Sequence, residues 1–226
     1  MANWDKIYRD YKKGGQAWAT LSGEIIPEFK LVLRQEKFKF KRAFDIGCGT
    51  GNYLAYLVSN GFQVAGTDSS PTAVKMARAL FDKKTGRAIK VANMFKLRIP
   101  KNKYDLIMSI AAIHHGMKKD VARLVGKIYT ALVPGGKAFI TFPDLVSSQH
   151  WDTFKTNKDL GNGTFSPLSG PEKGLPHSFF TKEEIAKMFA KFRMVKMQLD
   201  KRGRWVVRAV KQDSRDSRNK YKQEYV

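Results

Sequence analysis

The stretch Phe44-Asp45-Ile46-Gly47-Cys48-Gly49-Thr50-Gly51-Asn52 constrains this chain more than any other. A short apolar strand runs into three glycines at alternate positions. A helical pattern through Tyr53, Leu54 and Leu57 follows at once. Glycines so spaced let the backbone turn sharply and approach a ligand closely at a helix N-terminus. The spacing is G-x-G-x-G, not the G-x-G-x-x-G of dinucleotide sites. Asp45, two residues before the first glycine, would repel a pyrophosphate and suits a cationic or amino-bearing ligand.

The strand–turn–helix unit then repeats. Phe62–Thr67 reads as a second strand, and Ser70-Pro71 starts a helix with serine as N-cap and proline at the first helical position. Ile89–Ala92 is a short third strand. Asp105–Ile110 is a continuous apolar run, as a parallel strand buried on both faces requires. Val121, Leu124, Val125, Ile128 and Leu132 make a helical stripe, and Pro134-Gly135-Gly136 turns into a fifth strand, Lys137–Phe142. Residues 144–180 lack periodicity and read as a long substrate-side insertion. Thr181–Glu184 is a capping box, and Met194–Leu199 with Trp205–Val210 form a hairpin around Gly203. The expected fold is α/β: a Rossmann-like, seven-stranded, mostly parallel sheet with a C-terminal antiparallel hairpin and helices on both faces. One domain is expected over 1–211. Residues 1–40 form its helical lead-in, with Trp4, Ile7, Tyr8 and Tyr11 at helical spacing, and 212–226 a basic polar tail.

These residues resemble the class I S-adenosylmethionine-dependent methyltransferases. The likeness rests on Asp45–Gly51, Asp68, Tyr104–Ser109 and Leu132–Gly136. It implies S-adenosylmethionine as cofactor, with Gly47, Gly49 and Gly51 against its methionine and ribose parts and Asp45 near its amino end. It places Asp68 on the ribose, Ser69 beside adenine, and Asn93 and Met94 where the family often has an acid and an apolar residue. Ile110 would line the methionine pocket. The N-terminal phrase around Trp4–Tyr8 and Gly14–Trp18 is similar to the lead-in of thiopurine and tellurite methyltransferases, which implies a lid role for Tyr11 and Trp18.

What is missing narrows the chemistry. No Asn/Asp-Pro-Pro-Tyr/Phe follows the fourth strand, which argues against amino methylation of adenine or cytosine in nucleic acids. Cys48 is the single cysteine and lies in the glycine loop, so no intrachain disulfide, cysteine zinc site or nucleophile for ring-carbon cytosine methylation is available. No acidic cluster with metal-ligand spacing stands at the strand ends, and no metal is expected. Methyl transfer by positioning remains, with a general base needed only where the acceptor loses a proton. His114 and His115, after the fourth strand, and Asp144, after the fifth, are the candidate catalytic residues. His150, Trp151 and His177 belong to the insertion that should wall the acceptor.

Lys and Arg exceed Asp and Glu by 22 in 226 residues. Residues 41–143 carry +12 and residues 201–226 carry +6, while 144–200 carry only +1. Such charge favours polyanionic partners. Three readings of function stay open: methyl transfer to a small molecule, methyl transfer to tRNA or rRNA held by the basic surface, and a non-catalytic cofactor-binding scaffold. No signal peptide or membrane span is visible, so a cytoplasmic location is expected. The oligomeric state is open.

Overall fold

Seven strands lie in the order β3-β2-β1-β4-β5-β10-β9. They are β1 (Arg42–Ile46), β2 (Gln63–Asp68), β3 (Ile89–Val91), β4 (Tyr104–Ser109), β5 (Leu132–Pro143), β9 (Phe192–Leu199) and β10 (Arg204–Lys211). All neighbours among the first five pair in parallel, and β10 pairs antiparallel with both β5 and β9. The computed structural model describes residues 4–12, 24–148 and 157–212. The fold class is the one expected, including the single reversed strand.

Helices α1 (Trp4–Lys12), α2 (Pro27–Gln35), α3 (Asn52–Ser59), α4 (Pro71–Arg78), α5 (Lys83–Gly86), α6 (Lys118–Ala131), α7 (Leu145–Ser148) and α8 (Lys182–Met188) complete the described elements, with a small sheet discussed below. Alternation along the central strands splits the core in two, because successive side chains leave opposite faces. Phe44, Ile46 and Ile107 join Val121, Leu124, Val125 and Ile128 of α6 on one face. Ala43, Leu106 and Met108 join Phe29 of α2, Leu54 of α3 and Val74 of α4 on the other. Where β1 enters the sheet, buried Asp105 accepts the backbone N–H groups of Phe40 and Arg42 at 2.9 and 3.0 Å.

Two expectations are corrected. Leu132 starts β5 rather than ending α6, and Pro134-Gly135-Gly136 is a bulge inside that strand. The β4 pairing jumps from Tyr104↔Leu132 to Leu106↔Lys137 across it. The 144–180 stretch is not structureless. It holds α7 and a three-stranded antiparallel sheet, β6 (Asn157–Asp159), β7 (Thr164–Pro167) and β8 (His177–Ser178). These strands of two to four residues are too short to show a period.

The sheet order reverses between β1 and β4, and ligands of such sheets bind at the carboxyl ends of the strands at that point. No helix among the described residues is long and apolar enough to cross a membrane.

Candidate functional site

At that switch point lies a cavity of about 610 Å³. Its floor is the glycine loop after β1. Gly47 and Gly49 have φ of +78° and +52°, and Gly47 donates its N–H to Thr67 O at 2.7 Å. A Cβ on Gly47 would stand 2.4 Å from the Cβ of Ala112, so the loop and the chain leaving β4 approach as only glycine permits. On the β4 side, Ala111 is held at φ +52° with its N–H on Thr141 Oγ1 at 2.8 Å. That left-handed residue turns Ala112, His114 and His115 toward the cavity.

Two acids dominate one end. Asp45 is 3 % exposed, and burial together with nearby Asp68 pushes its pKa up to about 8. Asp68 accepts N–H groups from Gly49 and Ser70, each at 2.9 Å, yet burial still raises its pKa. Among the described residues no Lys or Arg offsets either shift. Buried carboxylates without a cation create a demand for positive charge. A ligand bearing an ammonium and a sulfonium meets that demand. The Asp68 carboxylate, with about four lone-pair sites, keeps acceptor capacity for a hydroxyl beside its backbone N–H partners.

The other end is built from histidines. The rings of His114 and His115 lie 3.9 Å apart, and those of His115 and His177 4.7 Å apart. Trp4 of α1 meets His115 edge-on at 4.7 Å. Burial and neighbouring ring charge hold His114 well below the usual imidazole range and push His115 down to about 3. Burial would raise Glu172, but the close contact with His177 and the nearby His115 outweigh this and its pKa falls. Thr67 Oγ1, His114 Nδ1 and Asn157 Oδ1 are buried without a partner among the described residues, and all three residues line this cavity.

Of the residues singled out from sequence, Asp45, Gly47, Gly49, Asp68, Ser69, Met94, Ile110, His114 and His115 border the cavity. Gly51 does not; at φ +89° it forms the turn into α3. Asn93 does not border it either. Its amide oxygen accepts the Phe95 N–H at 2.9 Å and caps a short 3-10 turn, while Ala92 and Met94 face the space. Asp144 is a correction as well: it is buried, takes the Trp205 indole N–H at 2.8 Å, and lies outside the lining. The Tyr11 side chain, Trp18, His150 and Trp151 lie outside the described residues. Sequence reading gave no place in the cofactor site to Tyr8, Tyr53, Glu172 or Arg204, which the fold brings to the lining from four separate segments. A glutamate five residues before a histidine, across Lys173-Gly174-Leu175-Pro176, was the one local hint, at Glu172 and His177.

Residues 44–140 match the family described as methyltransferase domain. That span runs from the strand before the glycine loop to the middle of β5. Those residues are thus similar to a methyltransferase domain. Two curated relatives are similar to this stretch and its surroundings. One is the cattle protein (Bos taurus) named probable tRNA methyltransferase 9B, 30% identical over 59% of this chain. The other is the chloroplastic tocopherol O-methyltransferase of Arabidopsis thaliana, 29% identical over 47% of this chain. The matches span 28% and 31% of those proteins, less than a third of their length. A solved Burkholderia thailandensis 1,6-didemethyltoxoflavin-N1-methyltransferase, with its substrate and S-adenosylhomocysteine bound, shares the fold. Its TM-score is 0.65 at 18% identity, over 92% of this chain and 86% of that one.

Proposed function

We propose that this chain transfers a methyl group from S-adenosylmethionine to a small-molecule acceptor enclosed beside the cofactor. The observation that carries this reading is the concave chamber at the switch point. Its acid end suits the cofactor, and its histidine end is roofed by the small β6–β8 sheet and α1. Its volume of about 610 Å³ lies within the roughly 300–1,000 Å³ of small-ligand pockets.

In this reading Asp45 holds the cofactor's ammonium, Asp68 its ribose hydroxyls, and Ser69 and Met94 flank adenine. Gly47, Gly49 and Ile110 bring backbone against the methionine part. When bound, the cofactor supplies an electrophilic methyl on a good leaving group. The chain's own work is to position the acceptor and exclude water. His115 is held too weakly basic to be an efficient proton acceptor near neutral pH, so positioning is its better-supported role.

Titrating S-adenosylmethionine into the wild type and Asp68→Ala tests the cofactor half. Affinity should fall at least about tenfold in the variant, the cost of one charge-assisted hydrogen bond. Equal affinity would remove Asp68 from the ribose. Arg202 and Arg204 line the cavity, and this favours RNA as the second reading. The scaffold reading fails if the purified chain turns over cofactor and Asp45→Ala abolishes that turnover.

A further inference from the structure

His115, Glu172 and His177 come from three separate segments: the turn after β4, the loop after β7, and β8. One potential ligand atom from each lies within 4.8 Å of the others. All three are half-buried and line the acceptor end of the cavity.

Their hydrogen bonds fix which atoms face each other. His115 Nδ1 lies 3.0 Å from Ala112 O, and His177 Nδ1 lies 3.1 Å from Leu175 O. A carbonyl only accepts, so both Nδ1 atoms carry the proton. In the neutral rings both Nε2 atoms are then bare lone pairs. Yet His177 Nε2 stands 2.8 Å from Glu172 Oε2, also an acceptor. A proton on His177 Nε2 would satisfy that pair as an ion pair; a bound cation would satisfy it too and would also engage the third donor, His115. A histidine whose Nδ1–H is tied to a backbone carbonyl is the usual arrangement of a metal ligand, because the tie sets ring orientation and tautomer.

We propose that His115, Glu172 and His177 bind one divalent transition-metal ion, zinc by preference, at the acceptor end of the cavity. Two imidazoles and one carboxylate match the donor set of open zinc sites, which leave a position for an exogenous ligand. Donors about 2.0–2.1 Å from a tetrahedral ion stand about 3.4 Å apart. Glu172 therefore has to withdraw from His177 by about half an ångström, within the freedom of a half-buried side chain. The cavity gives the fourth position. There an acceptor hydroxyl or thiol would lose its proton to solvent as its oxygen or sulfur bonds the metal. The anion then takes the methyl as the donor carbon–sulfur bond breaks, and neither oxidant nor reductant is needed. The pattern escaped sequence reading because His115 and Glu172 are 57 positions apart.

The site rests on the reading of this end as the acceptor chamber, but its test needs neither cofactor nor acceptor. The untagged full-length chain is stripped with a chelator and titrated with Co²⁺, then Zn²⁺. One Co²⁺ per chain should bind with visible bands of a four- or five-coordinate site, and one Zn²⁺ should displace it. Glu172→Gln and His177→Gln, checked for folding by circular dichroism, should each weaken Co²⁺ binding at least about tenfold. Substoichiometric Co²⁺ on the wild type, or binding unchanged in both folded variants, overturns the site and leaves a His177–Glu172 ion pair. Cofactor titration on the same sample separates the two ideas. Loss of metal binding with cofactor binding intact sinks only the metal site, and the converse sinks only the methyltransferase reading.

Discussion

At the scale of single residues, Asp45 and Gly47 are the most informative. The pKa of Asp45 is raised to about 8, so the ligand-free folded chain keeps a proton that the unfolded chain releases above about pH 4. This group's contribution to stability is therefore intact below about pH 4 and is lost as pH rises toward about 8. A bound ammonium reverses the preference, since it favours the carboxylate. Binding S-adenosylmethionine near pH 6–7 should expel close to one proton. Calorimetry in buffers of different ionisation enthalpy will count it. Affinity should rise with pH up to about 8 in the wild type and stay flat in Asp45→Asn. If the wild type releases no proton, Asp45 does not face the cation. Gly47→Ala is a different test, because it meets both the left-handed φ and the Ala112 Cβ at 2.4 Å. It should destabilise the fold by about 1–3 kcal/mol in denaturant melts and weaken cofactor binding too.

At the scale of elements, the small sheet matters because it joins the roof to the core. Ser178 of β8 is fully buried, and its hydroxyl donates to Gly116 O at 2.6 Å, on the turn after β4. That leaves Thr164 Oγ1 of β7 as the donor in the 2.8 Å pair with Ser178 Oγ. The Ser178 backbone N–H also reaches His114 O at 2.9 Å. Ser178→Ala strands two buried partners and should cost about 1–3 kcal/mol. It should raise the acceptor's KM more than it weakens cofactor binding, since the cofactor end does not depend on the roof. Equal effects on both would show that the small sheet supports the fold generally.

This element also marks where sequence stops being legible. The glycine loop, the Ser70 cap and the capping box at Thr181 were readable, because each is set by neighbours a few residues apart. β4 was readable because burial on both faces forces an apolar run, and the other parallel strands because turn residues bound them. The roof was not. It is held by short strands and by hydroxyl bonds across 14 and 62 residues, which leave no periodic trace. Asp144 misled for the reverse reason: its place after β5 suggested the pocket mouth, whereas the Trp205 indole of β10 takes up its carboxylate.

At the scale of the whole molecule, the net charge of +22 has to be weighed against what the basic side chains do. Several cover the chain's own aromatic rings. Arg42 lies 4.4 Å from the Phe40 ring, Lys137 5.0 Å from Phe38, and Lys211 5.2 Å from Tyr129. Lys118 is paired with Glu184 at 2.6 Å, and Arg204, at the cavity, with Asp200. Charges occupied in this way contribute to the long-range field but are costly to redirect to phosphates. Salt therefore separates the two acceptor classes. Transfer to RNA held by 6–10 phosphate contacts would lose about 10³–10⁵ in affinity between 50 and 200 mM salt. Transfer to an acceptor enclosed beneath the β6–β8 roof should change by less than about threefold, because screening acts little on buried interactions. Steady-state methylation of a small-molecule pool and of bulk tRNA, each measured across that range, decides between them. Efficient tRNA methylation with a steep loss on adding salt would assign the basic surface to RNA and make the chamber a pocket for a single extruded nucleotide.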